Sequence, residues 1–106
     1  MECIFCDIIN RKSPVESLYE DNKFMVFRDI KPSAPVHLLI ITKEHIPSIN
    51  HIEKKHRELI GDMFLLAKDM AKEHGINDGY KLAFNTGRKG GQLIDHLHLH
   101  LMGGWQ

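Results

Sequence analysis

The sequence predicts an α+β fold, with an antiparallel sheet of about five strands, one long helix and a short N-terminal helix. Three observations predict it. Apolar residues recur at helical spacing from Leu59 to Ala71, between two groups of strand-like segments. The segments before that helix read as a hairpin followed by an aliphatic strand. The chain then ends in a strict alternation, His96-Leu97-His98-Leu99-His100-Leu101, the period of a strand with one apolar face.

Taken in order, Ile4 to Ile9 is an apolar patch worth one or two helical turns, ending near Asn10-Arg11-Lys12 and broken by Pro14. Leu18-Tyr19-Glu20 and Phe24-Met25-Val26-Phe27 flank Asp21-Asn22-Lys23, a turn composition, and form the hairpin. Asp29 to Pro35 is a loop with Pro32 and Pro35 as breakers. Val36 to Ile41 is nearly continuous in β-branched and aliphatic residues, hence a central strand, interrupted by His37. In the long helix, Leu59, Met63, Leu66 and Met70 form one apolar row and Ile60, Phe64, Ala67 and Ala71 another. Its lysines and acids are a solvated face, and Gly75 is its natural stop. Tyr80 to Asn85 is a strand, and Thr86 to Gln92 is a glycine-rich loop leading into the histidine strand.

That last strand carries the strongest functional signal. Read with period two, it sets three imidazoles on one face and three leucines on the other, same-face neighbours roughly 6.5–7 Å apart. Buried imidazoles each need a partner, so a row of three is a poor choice for packing alone. It is a row of nucleophiles, proton carriers or metal ligands.

Composition narrows the classes. The 106 residues suit one domain, residues 1–106. Lysine plus arginine and aspartate plus glutamate both number 14, which argues against nucleic acid or an anionic membrane as partner. No apolar stretch approaches membrane-span length, and Met1-Glu2-Cys3 does not open a signal peptide, so a cytoplasmic location is expected. In that compartment Cys3 and Cys6, a Cys-x-x-Cys pair, are not expected to form a disulfide. The βαβ context of a redox motif is missing. Half of a zinc site fits the spacing and the eight histidines, and two small buried apolar residues is the plainer reading.

Three further features bear on a site. Backbone amides in the loop from Asn85 to Gln92 can cradle an anion, although glycines serve plain turns as well. Asp29, in the proline-rich loop, can hold a ribose diol or cap a turn. His37 and His45 lie on and after the central strand, where they add to the histidine count.

These residues together resemble the histidine-triad superfamily, and within it the Hint-like purine nucleoside phosphoramidase branch. The resemblance runs from Cys3-Ile4-Phe5-Cys6-Asp7-Ile8-Ile9 through Phe27-Arg28-Asp29-Ile30-Lys31-Pro32-x-Ala34-Pro35-x-His37 and Lys43-Glu44-His45-Ile46. It continues with Asn85-x-Gly87 and Gly91-Gln92-x-x-x-His96-x-His98-x-His100-x-x-Gly103-Gly104. The His-x-His-x-His stretch is the family signature. A third histidine, His100, points to hydrolases, since the nucleotidyltransferase branch typically has glutamine there.

The resemblance implies cleavage of a purine nucleoside 5′-phosphoramidate, or a related conjugate of AMP or GMP, at the α-phosphorus. His98 would be the nucleophile and form a nucleotidyl-imidazole that water hydrolyses. His100 and the glycine-loop amides, Gly91 and Gln92 among them, would hold the phosphoryl oxygens. His37 would orient His98 or relay a proton. Asp29 would accept from the ribose hydroxyls and Asn85 would bind near the phosphate, while Ile8, Phe27 and Ile30 would line the base pocket. Cys3, Cys6, His45 and His96 would hold one structural zinc, with no metal required for catalysis. A homodimer with a sheet continuous across it is also implied, carried by the helix at Leu59 to Ala71 and the strand at Tyr80 to Phe84. Two rival readings use the same residues: a zinc-dependent hydrolase with the histidine row as ligands, and a non-catalytic nucleotide-binding scaffold.

Overall fold

The computed structural model describes residues 3–106. Five strands, β1 (Tyr19–Glu20), β2 (Phe24–Arg28), β3 (Val36–Thr42), β4 (Tyr80–Ala83) and β5 (His98–Gly103), form one sheet in the order β1-β2-β3-β5-β4, every neighbouring pair antiparallel. Helix α1 is Ile4–Ile9 and helix α2 is Arg57–Glu73. The helices cover opposite faces of the sheet. Among the described residues no helix is long and apolar enough to cross a membrane.

Period two divides the central strands between the two faces. Leu38, Ile40, Leu99 and Leu101 pack with Met63, Leu66, Ala67, Met70 and Ala71 of α2. Leu39 and Ile41 pack on the other side with Phe5, Ile8, Met25 and Phe27. Because Ile41 pairs with His98 and Leu39 with His100, the β5 histidines share the α1 side of the sheet. The β1–β2 hairpin turns on Asp21, whose Oδ1 accepts from the amides of Lys23 and Phe24 at 2.7 Å each. Helix α2 stops where expected: Gly75 has φ +72°, and the Ile76 amide donates back to Ala71 O.

Three expectations need correction. His96 and Leu97 precede β5 rather than lying in it, because Leu97 donates its amide to Ile46 O instead of the ladder. The strand expected from Tyr80 to Asn85 ends at Ala83. Phe64, expected in the buried row of α2, is 42% exposed and lies edge-on to Phe84 beside the outer strand β4.

Candidate functional site

The three histidines of the row split into two chemistries. His96 turns toward the N-terminus of α1. Its Nδ1 lies 3.3 Å from Cys3 Sγ, 3.6 Å from Cys6 Sγ and 3.1 Å from His45 Nδ1, and His45 Nδ1 lies 3.3 Å from Cys6 Sγ. Four tetrahedral donors at zinc bond lengths stand about 3.3–3.8 Å apart. The Nε2 of His96 is 2.7 Å from Thr42 O. A carbonyl only accepts, so Nε2 carries the proton and Nδ1 presents a lone pair to the cluster. One imidazole lone pair, a second imidazole nitrogen and two sulfurs converge there, a donor set that suits a cation. His45 turns its Nδ1 to the cluster, while its Nε2 is the one buried side-chain nitrogen or oxygen left without a partner among the described residues. Without a cation, burial and the neighbouring Cys3 push the Cys6 thiol up to about 11. The residues fit a tetrahedral Cys2His2 centre.

Helix α1 supplies both thiols because Cys3 is its N-cap, its Sγ accepting the Cys6 amide at 3.3 Å. The loop after β3 supplies His45, where Thr42 donates its hydroxyl to Glu44 O and shapes the turn.

His98 and His100 face a different space. His98 Nδ1 sits 2.7 Å from His96 O, so Nδ1 is protonated and Nε2 holds the lone pair. Burial holds the His98 pKa below the ordinary histidine value, so the ring is neutral at pH 7. His37 takes the Ser33 amide at Nδ1 (2.9 Å), so its Nε2 carries the proton and donates to His100 Nδ1 at 2.8 Å. His100 is therefore left with Nε2–H as a donor. Burial first, then the fields of His98 and His37, lower its pKa to about 4. His37, expected to orient His98 or relay a proton, has its ring contact with His100. Asp29 Oδ2 lies 3.5 Å from His37 Nε2, and Oδ1 takes the Lys31 amide at 2.8 Å.

His98 and His100 line a cavity of about 510 Å³ with Asp29, Gly91 and an apolar wall that includes Ile8, Phe27 and Ile30. Ile30 is 91% exposed at its rim. Phe5 is part of this wall and was not singled out from the sequence. Its place between the two cysteines was the signal that could have found it.

The glycine loop departs from expectation. The amides of Gly90, Gly91 and Gln92 donate to carbonyls of the loop itself, and the Gly87 amide donates to Gln92 Oε1. The amides expected to cradle an anion are thus already engaged. Gln92 is a brace, its Nε2 donating to Pro47 O and Ile94 O, and it does not line the cavity. Asn85 likewise spends its Nδ2 on Gly90 O. Gly91 is required by its φ of +88° and because a Cβ there would come within 2.8 Å of Asn85 Nδ2. On the metal side, Arg88 clamps Asp95 through two contacts of 2.8 and 3.0 Å. A second cavity of about 360 Å³ opens there, lined by Arg88, Asp95, Cys3 and His45.

The sequence and the fold are similar to those of known proteins. Residues 2–104 match the family model described as scavenger mRNA decapping enzyme C-term binding. The chain is 46% identical over 101 residues to protein HitA of Neisseria gonorrhoeae, covering 95% of this chain and 94% of that one. It is 44% identical over 104 residues to the purine nucleoside phosphoramidase of Escherichia coli K12, covering 97% and 87%. The structure of a HIT family hydrolase from Legionella pneumophila superposes with a TM-score of 0.96 at 43% identity, covering 99% and 95%. A histidine triad protein from Clostridium difficile does so with a TM-score of 0.94 at 36% identity, covering 100% and 93%.

Proposed function

From the premise that this chain belongs to the histidine-triad family, we propose that it is a nucleotide hydrolase that cleaves a purine nucleoside 5′-phosphoramidate, or a related AMP conjugate, at the α-phosphorus. One observation carries the reading: a neutral imidazole whose Nδ1–H is held by a backbone carbonyl, with its Nε2 lone pair free, on the wall of an apolar cavity. Residues 1–106 then act as one histidine-triad domain.

The chemistry follows from the proton positions. His98 Nε2 attacks the α-phosphorus as the bond to nitrogen breaks, and the departing nitrogen takes a proton from water and leaves as the amine. The ring gains positive charge as it bonds phosphorus, and its Nδ1–H bond to His96 O strengthens in step. His100 Nε2–H meets the phosphoryl oxygens, where negative charge develops. Its low pKa keeps it a neutral donor that does not compete for the nucleophile's charge. The His37–Ser33 pair holds that donor in its tautomer. Water then cleaves the phosphorus–Nε2 bond and releases the nucleoside monophosphate. The free lone pair of Asp29 Oδ2 suits a ribose hydroxyl, and Ile8, Phe27 and Ile30 suit a purine face.

Cys3, Cys6, His45 and His96 would hold one zinc per chain, whose chemistry is structural because all four tetrahedral positions are protein ligands. A second copy of the chain is the natural cover for β4 and the exposed Phe64, Leu65 and Leu82, extending the sheet across a homodimer. Sedimentation at micromolar concentration should give a dimer, and a monomer would remove this part of the proposal.

The central test offers adenosine 5′-phosphoramidate and a lysyl-AMP conjugate and follows AMP release. Brief exposure and acid-free digestion should put the nucleotidyl mass on the peptide containing His98. Turnover without any adduct on that peptide would favour direct attack by water and overturn the mechanism. Absence of AMP from both substrates would overturn the activity.

A further inference from the structure

The Phe5 ring carries no hydrogen-bonding group, yet it touches both halves of the histidine row. Its ring is edge-on to His96 at 5.8 Å and 78°, to His98 at 5.2 Å and 79°, and to Phe27 at 5.7 Å and 68°. It is 3% exposed and stands between the two cysteines of the cluster: Cys6 follows it directly and Cys3 stands two before. We propose that Phe5 is a positioning residue for His98, and that a cation in the Cys3–Cys6–His45–His96 cluster sets the ring of the nucleophile through it. This rests on the reading of His98 as nucleophile.

What fixes the His98 ring supports the proposal. A hydrogen bond at Nδ1 pins one atom but leaves the ring plane to its packing. The two rings packed on it are Phe5 and, at 5.0 Å and 63°, His100. The hydrogen bond comes from His96 O and the first of those rings from Phe5. Two of the three restraints thus belong to segments that the metal cluster holds. Helix α1 has six residues, too few to stand without tertiary support. Its turn is held by buried Phe5 and Ile8 and by the two thiols at its start. Loss of the cation would free that start, and with it the ring that stops His98 from tilting. The effect reaches turnover because in-line attack is sensitive to placement: an error of about 1 Å costs on the order of 10²-fold. The second cavity borders Cys3 and His45, so a chelator has a path to the cluster.

Phe5 also lines the substrate cavity, and the alternative is that it serves only as a wall for the base. The two roles separate in kinetics. A wall residue changes KM, whereas a positioning residue changes kcat. The experiment uses Phe5→Leu in the zinc-loaded chain with nitrogen-15 labelled histidines, the His98 ring signals being assigned by their loss in His98→Asn. Zinc content and the amide spectrum of the sheet should match wild type. The His98 ring signals should shift or broaden, kcat for AMP release should fall about tenfold or more, and KM should change less than about threefold. Chelation of wild type should move the same ring signals and added zinc should restore them. His98 signals at wild-type positions in Phe5→Leu, or a change in KM alone, would overturn the proposal. Should chelation unfold the chain, the zinc-loaded variant decides by itself, and Phe5→Met replaces it should leucine fail to fold. The ring signals need no turnover, so a failed hydrolase assignment and a failed positioning role give different results.

Discussion

His96 and His98 are two residues apart and use the same device to opposite ends. In each, one backbone carbonyl takes a ring proton at 2.7 Å. For His96 the carbonyl of Thr42 takes Nε2–H, and the lone pair at Nδ1 joins two thiols and a second imidazole. For His98 the carbonyl of His96 takes Nδ1–H, and the lone pair at Nε2 belongs to the cavity wall. Burial lowers both pKa values, so both rings keep a lone pair at neutral pH. What differs is which nitrogen the backbone has claimed. The comparison teaches that a histidine's role here is set by the position of one carbonyl, more than by burial or by place in the row.

The largest expected effect breaks the pair at His98, the proposed nucleophile. His98→Asn should retain zinc and fold, and should lose turnover by about 10³-fold or more, because a covalent nucleophile has no substitute in the site. Single-turnover AMP release and elemental analysis on the same sample check it. A variant with near wild-type turnover would show that the Nε2 lone pair is idle. The metal side should break differently. Cys6→Ser should reduce bound zinc from one per chain to a small fraction and lower Tm by about 10 °C or more, since a ligand that binds only the folded state stabilises it by mass action. Zinc retained at one per chain would remove Cys6 from the cluster.

Much of this division was legible in the chain, and the part that was not has a physical reason. The α1 segment, the Asp21 turn, the aliphatic central strand and the α2 stop are local patterns, and they appear as Ile4–Ile9, the β1–β2 turn, Val36–Thr42 and Gly75. Period two correctly put Leu99 and Leu101 against the helix. It could not say that His96 leaves the ladder, because that depends on Leu97 finding Ile46 O, a contact 51 residues away in sequence. Nor could it direct the protons, since Thr42 O, Ser33 N and His96 O are backbone groups with no signature of their own. Gln92 follows the same rule: its backbone amide donates to Gly87 O and its side-chain amide to Pro47 O and Ile94 O, backbone partners that a glycine-rich loop does not announce.

The smallest expected effect concerns His100, which sharpens the comparison because no backbone carbonyl fixes it. Its tautomer depends on another side chain, His37, through a single 2.8 Å bond. His100→Gln keeps a donor near the cavity and should lower kcat by about 10- to 100-fold, less than His98→Asn, since the variant loses one oriented donor and no covalent step. The same variant carries a pH signature. His100 in the folded chain has a pKa of about 4 against an ordinary histidine value of 6.5. The unfolded chain therefore binds a proton there that the folded chain refuses. Stability tied to this group is complete above pH 6.5, declines as pH falls from about 6.5 toward 4, and is gone below that. Its size is at most about 3 kcal/mol, reduced by the water that reaches this half-buried ring. His96 and His98 are lowered in the same direction, so a slope remains in the variant. Urea unfolding of wild type and His100→Gln at steps from pH 7.5 to 4.5 should then give a difference that shrinks as pH falls. A difference that stays constant across that window would mean His100 takes up its proton at the ordinary histidine value, and that its burial beside His98 and His37 does not hold it neutral.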